Sequence, residues 1–127
     1  MRAVLIKDQN HHKNELEDII GQLPDIEIVA ESYTANDAAI QCAIHSPEFV
    51  IIDTLANDAD TPGIVARIKQ DFPAIKVFVL TGGKDDPLAF KVKAAGADLV
   101  ARRTISLNEW RQLIRYAQKH YRVYSNP

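Results

Sequence analysis

Four consecutive apolar residues, Phe49-Val50-Ile51-Ile52, run straight into Asp53. A short run without polar alternation reads as a strand covered on both faces, the pattern of a parallel sheet. Ala3-Val4-Leu5-Ile6 leads into Lys7-Asp8 in the same way, and Val77-Phe78-Val79-Leu80 into Thr81. Burying an unpaired carboxylate is costly, so packing does not account for Asp53 at such a tip. Open parallel α/β sheets gather functional groups at the carboxyl ends of their strands. Lys7, Asp8, Asp53 and Thr81 are therefore expected at one edge of one sheet.

Strand and helix patterns alternate along the chain with short connections, which is the signature of βαβ units. Strands are expected at 2–7, 26–31, 49–53, 76–81 and 98–101, and helices near 10–22, 35–45, 61–71, 85–95 and 107–121. Asp60-Thr61-Pro62 offers a cap followed by a first-turn proline. Ser106 and Glu109 form a capping box ahead of the stripe Trp110, Leu113, Ile114, Ala117. Gly96 stands where a left-handed C-cap closes the fourth helix. With right-handed crossovers, five such units give a doubly wound (βα)5 sheet with helices on both faces. The 127 residues suit one domain over 1–122, followed by a tail at 123–127.

Charge and cysteine usage exclude some partners and compartments. A net charge of −2 gives no general pull toward nucleic acid or an anionic membrane, so neither is expected as a direct partner. One cysteine, Cys42, cannot form an internal disulfide, and a reducing cytoplasm is the expected home. No run of 18 apolar residues is present, and the chain starts on a strand rather than a signal peptide.

Several pieces together, in this order and spacing, carry a family resemblance. They are the strand ending in Asp8, Leu16 in the first helix, and Pro24-Asp25-Ile26-Glu27-Ile28-Val29-Ala30-Glu31. Phe49 to Asp53, Val77 to Thr81 and Lys93-Ala94-Ala95-Gly96-Ala97-Asp98 follow. Over roughly residues 2–120 the chain resembles the receiver domain of two-component response regulators. The resemblance implies a flavodoxin-like five-stranded sheet in order 2-1-3-4-5, with the site at the ends of strands 1, 3 and 4. It makes Asp53 the phosphoacceptor and Thr81 the hydroxyl that contacts the phosphoryl group. It implies Mg²⁺ held by Asp8, Asp53 and the backbone carbonyl of Leu55. It also implies a sensor histidine kinase or phosphotransfer protein as partner, and a signalling role rather than an enzyme's. A homodimer through helix 4, strand 5 and helix 5 is a further possibility of the family.

The chemistry explains why the family needs these groups. An aspartate attacks a phosphoryl donor when the incoming oxygens are neutralised. Magnesium supplies that charge and takes an octahedral shell of oxygens, one or two of them carboxylate. Here the acidic pair that closes strand 1 in the family reads Lys7-Asp8. Counting from Gly96, the family's lysine falls on Arg103 and its switch aromatic on Val100. The loop Thr54 to Pro62 keeps Asp60 but lacks the usual Met-Pro-Gly run. A cation within about 4 Å of another costs roughly 4 kcal/mol at an effective dielectric near 20. Weak Mg²⁺ binding is the expectation, with Lys7 as the modulating residue that sits where the metal would and pairs with Asp53 or Asp8.

Two functions stay open on these residues. One is a phosphorylatable receiver with an altered metal site. The other is a phosphorylation-independent pseudo-receiver, a protein–protein interaction module in which Lys7 replaces the metal. A nucleotide or flavin binder of the same fold is a third class, but neither Gly-x-Gly-x-x-Gly nor a P-loop is present. The resemblance to atypical receivers of RNA-binding antiterminators rests on Ile52-Asp53-Thr54 alone.

Other conspicuous residues have plainer readings. His11-His12 are adjacent and do not share a helix face as i, i+4 metal ligands do. Cys42 lies among alanines on a helix and reads as core. Arg102-Arg103 reads equally as surface charge. Arg111, Arg115 and Lys119 form a cationic stripe, read as a solvated face or as a contact for the acidic residues near Asp85-Asp86 and Asp98.

Overall fold

The apolar runs become the central strands of a six-stranded parallel sheet. A computed structural model describes residues 1–7, 15–53, 60–82, 86–102, 105–119 and 123–125. In chain order the elements are β1 (Arg2–Ile6), α1 (Glu15–Gly21), β2 (Glu27–Ser32), α2 (Ala35–His45), β3 (Phe49–Asp53) and α3 (Thr61–Asp71). There follow β4 (Lys76–Thr81), α4 (Pro87–Ala95), β5 (Leu99–Arg102), α5 (Leu107–Gln118) and β6 (Val123–Ser125). The sheet order is β2-β1-β3-β4-β5-β6. The expected order 2-1-3-4-5 is present, and one further strand extends it.

Strand alternation sorts the core into two layers. On one side Leu5, Ile51, Phe78, Leu80 and Leu99 pack against α1 and α5 through Ile20, Trp110, Leu113 and Ile114. On the other, Val4, Ile52, Val77, Val79 and Val100 pack against α2, α3 and α4 through Cys42, Ile64, Ile68 and Val92. Trp110 is fully buried and stacks on Phe78 with ring centroids 4.7 Å apart at 16°. Such stacking contributes about 1 kcal/mol beyond area burial.

Most of the chemical punctuation acts as read. Ser106 Oγ accepts from the Glu109 amide at 3.2 Å, and Glu109 accepts in return from the Ser106 amide at 3.4 Å. Gly96 closes α4 at φ 110°, in the left-handed region. Asp60 differs. It stands at the N-cap of α3, but its own backbone is already helical (φ −90°, ψ −2°), and its side chain makes no capping bond. A capping side chain needs an extended backbone to reach the first free amides, as Thr34 has at the start of α2.

The tail expected from residue 123 onward is in part sheet. Val123, Tyr124 and Ser125 pair in parallel with Leu99, Val100 and Ala101. Val and Tyr suit a strand, and α5 supplies the helix that a parallel crossover requires.

Candidate functional site

Strand register builds the site from four neighbouring strands. Ile6 is paired with Ile52, so Lys7 and Asp53 are each the next residue on adjacent strands. Asp53 is paired with Leu80, which puts Thr81 one step beyond on β4. Thr81 is in turn paired with Arg102 at the end of β5. Neighbouring strands lie about 4.8 Å apart, so these residues share one carboxyl edge. Asp53 is 6% exposed and Thr81 fully buried. Asp8, Leu55 and Arg103, together with His11 and His12, lie outside the described residues.

Lys7 has a partner that reading along the chain did not supply. Its ammonium lies 3.1 Å from Glu31 Oε2, with the lysine side chain 10% exposed and the glutamate 41%. The pairing depends on a register shift. Ala3 faces Ile28, but Val4 faces Ala30, so Val29 is passed over and Glu31 falls opposite Leu5. Leu5 and Lys7 are two apart and share a face, which brings Glu31 onto the side of Lys7. Without the shift, Glu31 would sit opposite Ile6 and point the other way. Acidic Glu31 at the carboxyl end of β2 was the available signal, but its face was not legible.

Of the three expected Mg²⁺ ligands, Asp53 alone is among the described residues. Among the described residues no group of three His, Cys, Asp or Glu side chains is placed to hold a metal ion. At this edge they supply the carboxylate of Asp53 and, at the end of the neighbouring strand, Lys7 paired with Glu31.

Two residues assigned to a surface contact are occupied elsewhere. Asp98 is 2% exposed, and its Oδ2 accepts from Lys69 Nζ at 2.9 Å and from the Val77 amide at 2.9 Å. Asp86 caps α4, accepting from the amides of Leu88 and Gly82. Asp98 therefore presents no charge to an oncoming partner. Arg111, Arg115 and Lys119 are exposed as expected. Val100, at the family's aromatic position, is fully buried.

A groove lies elsewhere, at the amino edge of the sheet. It measures about 690 Å³ and is lined by Cys42, Phe49, Phe72, Ile75 and Lys76 among others. Cys42 is 1% exposed, and burial pushes its thiol up to about 11. The groove lies at the opposite end of the strands from Asp53.

A doubly wound parallel sheet in this order, with an acid ending its central strand, is the flavodoxin-like architecture of response-regulator receiver domains. Comparison with known proteins agrees. The response regulator protein VraR of Staphylococcus aureus is 23% identical over 124 residues, covering 98% of this chain and 59% of that protein. VraR of Staphylococcus epidermidis is 24% identical over 115 residues, covering 91% of this chain and 55% of the relative. The chain thus spans less than two thirds of the length of these relatives.

Solved structures give the same picture of the fold. A two-component response regulator of the LuxR family from Aurantimonas superposes with a TM-score of 0.82 at 21% identity, over 99% of this chain and 89% of that one. The signal receiver domain of a NarL response regulator from Mycobacterium tuberculosis gives 0.76 at 14% identity, over 93% and 95%. The receiver domain of RcsB from Salmonella enterica, solved in the presence of the phosphomimetic BeF3⁻, gives 0.74 at 16% identity, over 97% and 92%. No protein-family model matches the chain. Fold and relatives together support a response-regulator receiver domain.

Proposed function

We propose that this chain works as the receiver domain of a two-component phosphorelay, taking a phosphoryl group on Asp53. The observation that carries the reading is a buried aspartate closing a central strand, with Thr81 closing the next. An Asp53 oxygen attacks the phosphorus of the donor. The donor's bond to phosphorus breaks with its electron pair, and an acyl phosphate forms on Asp53. Charge on the transferred oxygens must be met by fixed cations and donors. Lys7 and Thr81 are the described residues suited to it, and Arg103 is the further residue assigned to it by the resemblance. The donor is a sensor histidine kinase or a phosphotransfer protein, and the role is signalling rather than turnover. No described helix is long and apolar enough to cross a membrane.

A second reading draws on the Lys7–Glu31 pair. An ammonium held at this edge by a carboxylate partner on β2 would supply a fixed cation where the family holds a metal. That favours a pseudo-receiver working through protein contacts, and self-association over α4, β5 and α5 belongs to either reading. Mass spectrometry after acetyl phosphate, with and without Mg²⁺, separates them. The receiver gains one phosphoryl mass that Asp53→Asn abolishes, whereas the pseudo-receiver gains none.

A further inference from the structure

The amino edge of the sheet holds an ammonium that the fold leaves short of acceptors. Lys69 and Lys76 share one buried carboxylate there, that of Asp98. Lys69 Nζ is fully used. It donates to Asp98 Oδ2 at 2.9 Å and to the carbonyls of Ile75 and Pro73 at 3.0 and 3.3 Å. Lys76 Nζ stops 4.0 Å from Asp98 Oδ1, beyond hydrogen-bond range, and makes no hydrogen bond among the described residues. Its side chain is nevertheless only 19% exposed. An ammonium carries three donors, and one drawn partly out of water is stabilised by any acceptor it can reach.

Lys76 also stands in the wall of the groove of about 690 Å³ at this edge. Pro47, Phe49, Phe72 and Ile75 give that groove apolar walls. A few hundred to about 1,000 Å³, mostly apolar with a few polar groups, is the usual form of a small-molecule site. Glu48 is the acidic residue of the lining. Its Oε1 accepts from the Arg2 amide at 3.4 Å, on the β1 side of β3, whereas Lys76 opens β4 on the other side. The cation is thus the charge left to meet a ligand.

We infer that this groove binds an amphiphile with one carboxylate head, the head on the Lys76 ammonium and the alkyl or aryl body against Phe49, Phe72 and Ile75. Lysine presents a compact point charge rather than a fork of donors, which matches a single carboxylate better than a doubly charged phosphate. Removing the apolar body from water supplies most of the affinity, and the ion pair chooses the head group. The site needs nothing from Asp53, at the opposite end of the strands.

The test titrates decanoate, at submicellar concentration, and decan-1-ol into isotope-labelled protein and follows the amide resonances of Cys42, Phe72 and Ile75. Decanoate is expected to move them together and to saturate, and decan-1-ol to bind at the same place about tenfold more weakly, the loss of one charge-assisted contact. Lys76→Met should bring decanoate down to the level of decan-1-ol and leave decan-1-ol as it was, while Lys76→Arg should keep the preference. Equal affinities of the two ligands for the wild type overturn the proposal, and that arm needs no substitution. So do shifts that never saturate, or that spread over the surface instead of the groove. A preference for decanoate that survives Lys76→Met removes Lys76 as the head-group residue and overturns it as well.

Discussion

The ammonium of Lys7 and the carboxylate of Glu31 meet at 3.1 Å across β1 and β2, beside β3. The lysine is the more buried partner, so the pair fixes a cation at the edge where the family's resemblance calls for an acid. Replacing Lys7 by Asp removes that cation and adds an oxygen ligand. Lys7→Asp is expected to bind Mg²⁺ at least about tenfold more tightly than wild type, since one close charge contact is worth more than that at intermediate dielectric. Calorimetric titration of both proteins checks it. Equal affinities would remove Lys7 as the residue that governs the metal.

Glu31→Gln makes the complementary change, leaving Lys7 in place without its counter-charge. The exposed half of a pair adds little to stability on its own, so the fold should lose less than about 1 kcal/mol. Reactivity should change more, because the unneutralised ammonium attracts the phosphoryl donor. Faster acetyl phosphate labelling of Asp53 is the expected result. A slower rate would mean that Glu31 serves to position Lys7 rather than to quiet it.

Asp98 ties three elements together, and its removal from any surface role has a measurable side. The carboxylate takes Lys69 from α3 and the Val77 amide from β4, at the start of β5. Lys69→Met leaves it buried without its main cation. Breaking one half of a buried pair costs about 3 kcal/mol. Urea unfolding followed through the single tryptophan, Trp110, is expected to show a loss of that order with an unchanged slope. A loss within about 0.5 kcal/mol, the range of ordinary surface changes, would mean Lys76 takes over the pairing.

Much of this fold was legible because its strands are buried on both faces and so read as continuous apolar runs. Phe49–Asp53 and Lys76–Thr81 match their expected bounds for that reason. The capping box at Ser106 and the left-handed Gly96 were legible because both act within a few residues. The partner of Lys7 was not, because it depends on a register shift at Val29 between two strands. Asp98 looked like surface charge for a related reason. Its neighbours in sequence say nothing of Lys69, which reaches it from another helix. Asp60 failed as a side-chain cap because backbone conformation, not residue type, decides the reach.

Cys42 gives a pH dependence with a definite sign. Burial raises its thiol from an ordinary 9.0 to about 11. Below the unfolded value both states hold the proton and nothing is lost. As pH climbs from about 9 toward 11, the unfolded chain releases the proton and the folded chain keeps it, so stability falls. Alkylation should follow the same rule, since only the thiolate reacts, and Cys42 should label slowly until the protein is unfolded. Cys42→Ala should flatten the alkaline part of the stability curve. An identical slope in both proteins would assign the loss to other groups.

The sixth strand is the least secured part of the sheet. Three residues pair with β5, and each hydrogen bond gained contributes about 1 kcal/mol net. Ordering each residue costs about the same or more, so docking stands close to balance. Yet the strand is in register with the site. Asp53 faces Leu80, Leu80 faces Ala101, and Ala101 faces Ser125, one row running from Asp53 to the outer edge. Proline at Tyr124 removes a donor and disfavours pairing. Tyr124→Pro is expected to speed amide exchange in residues 99–102 by several-fold while leaving β1 and β3 protected, because only the outer edge loses its neighbour. Exchange in 99–102 equal to wild type would mean that β6 does not shield β5 in solution.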